Sequence, residues 1–165
     1  MNNLQTELTI RDFEPGDQAD FRRLNEEWIL RHFVMEAKDE EALDDPEGTI
    51  LAPGGRIFLA IQEGRAVGCC ALLATARGGE FEVAKMAVTE SARRNGIGRR
   101  LLEKAIAEAR AAGAAHLYLE TNRALLPAIR LYESIGFRHL PPERVTPSRF
   151  ARANVHMEMM LEARE

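Results

Sequence analysis

The stretch Arg93-Arg94-Asn95-Gly96-Ile97-Gly98-Arg99 joins an apolar run ending at Val88 to an amphipathic run beginning near Gly98. Glycines at a helix entry let the backbone approach an anion closely. The free N–H groups of the first turn and the positive end of the helix dipole then favour it, and a diphosphate suits such a place. By physics alone, turn-forming glycines among solvated arginines account for the same residues equally well. Gly98-Arg99-Arg100 lacks the Gly-Lys-Ser/Thr ending of a nucleoside-triphosphate loop. The glycine spacing also differs from the three-glycine dinucleotide fingerprint.

Proton-transfer groups flank this loop. Strand alternation puts Glu80, Glu82 and Ala84 on one face of the strand leading into it. Glu82 is therefore a candidate general base, acting directly or through a water, with Glu120 in reserve. A salt-bridged surface carboxylate fits Glu82 equally well. Tyr132 has a phenol of reference pKa about 10 and can donate a proton at neutral pH; a core aromatic is the bland alternative. His32, His116, His139 and His156 show no ligand spacing and none is placed in the site, so no metal is expected. Cys69 and Cys70 are adjacent in an apolar run, which suits neither a disulfide nor a zinc site and predicts buried small hydrophobes.

The elements that must position these groups are legible in the patterning. Leu8 to Phe13 alternates as a strand, closed by Pro15-Gly16-Asp17. Phe21, Leu24, Trp28, Ile29 and Phe33 recur at helical spacing from about Asp17, with Asp17 or Asp20 as N-cap. The acidic stretch from Met35 to Pro53 offers one short helix before Pro46. Arg56–Gln62 and Ala66–Ala74 predict a hairpin across Glu63-Gly64-Arg65, and Glu80–Val88 a third strand. A helix from Gly98 to Ala112 stops at Gly113, and His116–Thr121 is the strand after it. Pro127 opens a helix ended by Gly136, Phe137-Arg138 begins a short strand, and Val155–Leu161 is the last. Pro141 to Arg152 is a loop. This order predicts a mixed α/β sandwich rather than a Rossmann alternation.

Bulk properties narrow the partners. A chain of 165 residues suits one domain spanning 1–165. A formal charge of −4 with interspersed signs argues against nucleic acid. Met1 to Glu7 lacks the basic start and apolar stretch of a signal peptide, and no apolar run approaches membrane-spanning length. A cytoplasmic protein is expected.

Arg93-Arg94-Asn95-Gly96-Ile97-Gly98 resembles the acetyl-CoA signature Gln/Arg-x-x-Gly-x-Gly/Ala of the GCN5-related N-acetyltransferase (GNAT) family. The likeness extends to Met86-Ala87-Val88 before it, Leu101-Leu102 after it, and Leu131-Tyr132-Glu133-Ser134-Ile135-Gly136-Phe137. In all it covers residues 8 to 161. Leu24 to Ile29, Gly54 to Phe58 and the last strand are similar to a subgroup of small bacterial acetyltransferases of unnamed acceptor. The resemblance implies a GNAT-type fold: a central, mostly antiparallel sheet splayed at the cofactor strand, with helices on both faces. It also implies acetyl-CoA as acyl donor, held by Arg93, Arg94, Asn95, Gly96, Ile97, Gly98 and Arg99, with backbone groups of Met86 and Val88 on the pantetheine arm. Tyr132 becomes the acid for the departing thiolate. Asn122 can anchor the pantetheine or orient a water. Leu125 stands where the family often has an asparagine, which removes one side-chain contact, while Ala128 keeps the small residue at its position.

The implied activity is transfer of an acetyl group from acetyl-CoA directly to a primary amine of a small molecule or peptide. The acceptor is expected among Trp28, Phe33, Glu36, Arg149 and Arg152, although each also fits a solvated surface. Acidic groups there suit a cationic amine, and Arg149 or Arg152 can hold a carboxylate bidentately, as in an amino acid or peptide. Family habit implies a monomer or homodimer. The alternatives are a non-catalytic acyl-CoA-binding sensor or regulatory module, which an intact Tyr132 argues against, and a loop for another phosphorylated ligand.

Overall fold

The computed structural model describes residues 7–161. Apart from Glu7, the N-terminal stretch from which no signal peptide was expected lies outside the described residues. The strands are β1 (Leu8–Asp12), β2 (Arg56–Gln62), β3 (Arg65–Ala74), β4 (Glu80–Val88), β5 (His116–Thr121), β6 (Arg138–His139) and β7 (Val155–Met160). The helices are α1 (Gln18–His32), α2 (Ala37–Asp44), α3 (Ile97–Ala111) and α4 (Leu126–Ile135). The strands form one seven-stranded sheet in the order β1-β2-β3-β4-β5-β7-β6. All pairs are antiparallel except β4 with β5.

Period-two alternation divides the core between the two faces. Phe58, Ala60, Cys70, Leu72 and Val83 point toward α3 and α4, where Leu101, Leu102, Ala105 and Tyr132 meet them. Ile57, Leu59, Cys69, Ala71 and Ala87 point the other way, against Phe21 and Leu24 of α1 and Leu43 of α2. The adjacent cysteines thus serve opposite cores, both fully buried. A Cβ at Gly68 would sit 2.9 Å from Leu101 Cδ1, so glycine lets α3 seat closely on β3.

Two irregularities shape the site. The parallel ladder pairs only Glu80–Val83 with His116–Leu119, so the remainder of β4 diverges from β5. The β3–β4 register also slips between Cys69 and Ala71, where Lys85 takes a φ of 53°. This bulge turns Lys85 toward the α1/α2 face, the face already occupied by Glu82.

Several boundaries differ from the sequence expectations. A wide helical turn at Glu47–Leu51 follows Pro46, and a 3-10 turn at Pro142–Arg144 interrupts the expected loop. The Asp17 carboxylate does not cap α1; it accepts bonds from Arg11 and from the Glu14 N–H at 2.7 Å. No helix among the described residues is long and apolar enough to cross a membrane.

Candidate active site

The basic loop is built as a backbone cradle. Arg94 and Gly96 have φ of 68° and 72°, and Gly96 precedes the first residue of α3. The first α3 bond runs from Arg100 N to Gly96 O, which leaves the N–H groups of Ile97, Gly98 and Arg99 outside the helical ladder. Arg93, Arg94, Asn95 and Arg99 are all exposed. A Cβ on Gly98 would meet Leu131 Cδ2 at 3.5 Å and Val88 Cγ2 at 3.9 Å, both ordinary contacts. Neither sterics nor a positive φ requires glycine at 98, and the missing side chain leaves the first-turn N–H groups open to close approach by an anion. The loop is tethered to α1 through Glu27, which accepts from Thr89 Oγ1 at 3.0 Å and from Glu90 N at 2.9 Å. Burial would raise the Glu27 pKa, yet these bonds hold it below the usual range.

The edge of β4 beside this cradle is open. Thr89 N donates to Val67 O, so by alternation the backbone groups of Val88 and Met86 point into the gap where β5 has departed. Arg93 Nε reaches the Val88 carbonyl at 3.3 Å.

Tyr132 lies on the α3/α4 side, 8% exposed, with its ring edge-on to Phe137 at 6.0 Å. Burial, and then the neighbouring Cys70 thiol, push its pKa upward, so the phenol keeps its proton at neutral pH. Its hydroxyl makes no hydrogen bond among the described residues. Nor is it one of the sealed, unpartnered polar atoms, Asn25 Oδ1 and Trp28 Nε1, and so it opens outward.

Glu82 faces the other side. Leu73, its partner on β3, belongs to the α1/α2 core. Burial, and then the charge of Glu120, raise its pKa to about 7, with Glu80 adding and Lys85 and Arg149 opposing. Glu120 is pinned by Tyr118 Oη at 2.9 Å and Ser148 Oγ at 2.5 Å, so its own lone pairs are engaged. That favours Glu82 over Glu120 as a proton acceptor. His156 Nδ1 lies 2.7 Å from Tyr118 Oη. Because the Tyr118 proton goes to Glu120, Nδ1 must be the donor in that contact. His156 thus stands beside the candidate site, through strand pairing of β7 with β5 that local spacing does not display.

The acceptor-side residues converge, but several are already engaged. Trp28 meets Phe33 edge-on at 6.2 Å and the Arg152 guanidinium at 5.7 Å. Arg152 was expected to hold a carboxylate of the acceptor, but the carboxylate it grips bidentately is internal: Asp39, at 2.7 and 2.6 Å. Glu36 caps α2 and accepts from Ala151 N at 3.0 Å and Arg152 at 3.2 Å. The Asn122 amide donates to the Arg152 carbonyl at 2.7 Å and accepts from Ala124 N at 2.8 Å, so both ends are occupied within the chain. Arg149 is exposed and near enough for its charge to act on Glu82. Sequence reasoning missed Asp39, Lys85, Tyr118 and Phe150. Only the Phe150 position, in a loop already under suspicion, carried any signal.

Comparisons with known proteins bear on the family and the fold. The model of the acetyltransferase (GNAT) family matches residues 7–137, and the chain belongs to that family. It is an acetyltransferase by class, on a mixed α/β sheet of the GNAT kind. An IAA acetyltransferase of Azospirillum brasilense is 43% identical over 94 residues, which are 57% of this chain and 61% of that protein. An acetyltransferase of the GNAT family from Staphylococcus aureus superposes with a TM-score of 0.86 at 20% identity, covering 94% of this chain and all of the other. The structure of yncA, a putative acetyltransferase from Salmonella typhimurium with its cofactor acetyl-CoA, superposes with a TM-score of 0.74 at 20% identity, covering 95% of each chain. At these identities the two structures speak for the fold.

Proposed function

We infer that the protein transfers the acetyl group of acetyl-CoA directly to a primary amine. The observation that carries this is Gly98, a glycine the folded chain does not need, at a helix entry beside an unpaired strand edge. The pyrophosphate lies against the N–H groups of Ile97, Gly98 and Arg99, with Arg93, Arg94 and Asn95 around it. The pantetheine arm adds to β4 at Met86 and Val88 as a pseudo-strand and brings the thioester into the splay.

Glu82 takes a proton from the incoming ammonium, directly or through a water; a carboxylate held near pH 7 suits that task. The free amine attacks the acetyl carbonyl, the carbon–sulfur bond breaks and the thiolate takes the Tyr132 proton; the proton that the nitrogen sheds as the amide forms passes through solvent to restore the phenol. Arg152 is consumed by Asp39, so Arg149 is the cation left to hold an anionic group of the acceptor. This favours a small zwitterionic amine or a peptide N-terminus, with its ammonium toward Glu82 and its carboxylate toward Arg149. Trp28, Phe33 and Glu36 line that side.

Thiol release from acetyl-CoA, screened over amines, amino acids and peptides, tests the activity. Glu82→Gln should lower kcat/KM by about 10²–10⁴-fold. An active protein indifferent to Glu82 and Tyr132 would refute the assigned chemistry.

A further inference from the structure

Asp39 is fully buried and takes no part in the chemistry above. Its carboxylate accepts four hydrogen bonds: from Glu36 N at 3.0 Å, Lys85 Nζ at 2.8 Å, and the two terminal nitrogens of Arg152. The Lys85 and Arg152 side chains are only 7% and 13% exposed. Phe150 covers both, its ring centre 5.0 Å from Lys85 Nζ and 4.6 Å from Arg152 Cζ. One buried carboxylate therefore joins three separate parts of the chain: α2, the bulge of β4 and the segment before β7.

That segment, 148–152, is tied at both ends. Ser148 Oγ bonds Glu120 on β5, while Ala151 N and Arg152 bond Glu36 and Asp39. It forms a strap along the α1/α2 face, with Arg149 between its anchors and Glu82 within reach of the Arg149 charge. Two buried cations that lost their shared carboxylate would be left uncompensated, which is strongly unfavourable. Asp39 thus dictates where both cations sit.

We propose that Asp39 is a positioning residue for the acceptor side: it clasps the strap 148–152 onto α2 and the β4 bulge, and so fixes Lys85 and Arg149 about Glu82. This deepens the reading of Glu82 as the base and rests on it for its catalytic consequence. The groups facing Glu82 are Glu80 and Lys85 on its own strand, Tyr118 and Glu120 on β5, and Arg149 on the strap. Freeing Lys85 from Asp39 unmasks a positive charge there and shifts the balance toward ionised Glu82.

The test uses the full chain and two variants, Asp39→Asn and Arg152→Met. Hydrogen exchange reads the strap. Emission of Trp28, the single tryptophan, reads the neighbouring guanidinium, and carboxyl NMR reads the Glu82 titration. Asp39→Asn should speed exchange over 148–152 by about tenfold or more, leave α3 and β3 as in the wild type, shift the Trp28 emission and lower the Glu82 titration point. Arg152→Met should release the strap and shift Trp28 without lowering Glu82, because Lys85 keeps its partner. The proposal is overturned if the strap exchanges at the wild-type rate in Arg152→Met, if exchange accelerates evenly through α3 and β3 in both variants, or if Glu82 is unmoved by Asp39→Asn. Should Asp39→Asn fail to fold, the local or global pattern in Arg152→Met decides. Wild-type Glu82 titrating in the ordinary carboxylate range would remove the base assignment and leave the strap result standing.

Discussion

Glu82 on β4 and Tyr132 on α4 stand on opposite faces of the sheet, with the divergence of β4 from β5 between them. A thioester lying in that gap has a proton acceptor on one side and a proton donor on the other. The proposed direct transfer uses that arrangement: the amine would be deprotonated on one side and the thiolate protonated on the other.

Activity should depend on pH through Glu82. The Glu82 pKa of about 7 places the acid limb of kcat/KM there, with activity rising as pH increases through it. A limb in the ordinary carboxylate range would remove Glu82 as the base.

Stability should move oppositely to activity at the same residue. A carboxyl whose folded pKa is raised favours the fold below its unfolded pKa, and that advantage is lost as pH rises through about 7. Glu82→Gln should therefore stabilise the protein at pH 8, by on the order of 1–3 kcal/mol after allowance for partial exposure, and leave it nearly unchanged near pH 4. Thermal melts at the two pH values check this.

Tyr132→Phe separates chemistry from packing. The hydroxyl has no partner among the described residues, so its loss should change Tm little while kcat falls by about 10²-fold or more. A large loss of stability with unchanged kcat would make Tyr132 a core residue only.

Asp39 has the opposite sign of shift. Burial raises its pKa, but the bonds from Arg152 and Lys85 outweigh that and hold it at about 2. Its ion pairs stabilise the fold above the unfolded carboxylate pKa by about 2 kcal/mol, and this is lost as pH falls through about 2. Asp39→Ala, which strands two buried cations, should cost about 3–5 kcal/mol in denaturant titrations at pH 7.

The fold was legible in the sequence because alternation along β2 to β4 and the apolar stripe of α3 report burial on known faces. Gly96 and Gly98 pointed to the cradle because local spacing encodes a helix entry. Neighbours set by long-range pairing left no such trace. Lys85 reaches Asp39 only because a bulge turns it, and His156 meets Tyr118 only because β7 inserts between β5 and β6. Arg152 was read as a holder of an acceptor carboxylate, whereas it holds Asp39, because the acidic stretch that supplies that partner had no periodicity to fix Asp39 beneath it.

The most direct test is calorimetric titration of acetyl-CoA into the wild type and Gly98→Glu. The substituted Cβ meets only ordinary contacts, so the variant should fold while placing a carboxylate where the pyrophosphate belongs. Binding by the wild type and its loss in the variant is the predicted result. Equal binding by both proteins, or none by the wild type, would contradict the cradle at Gly98.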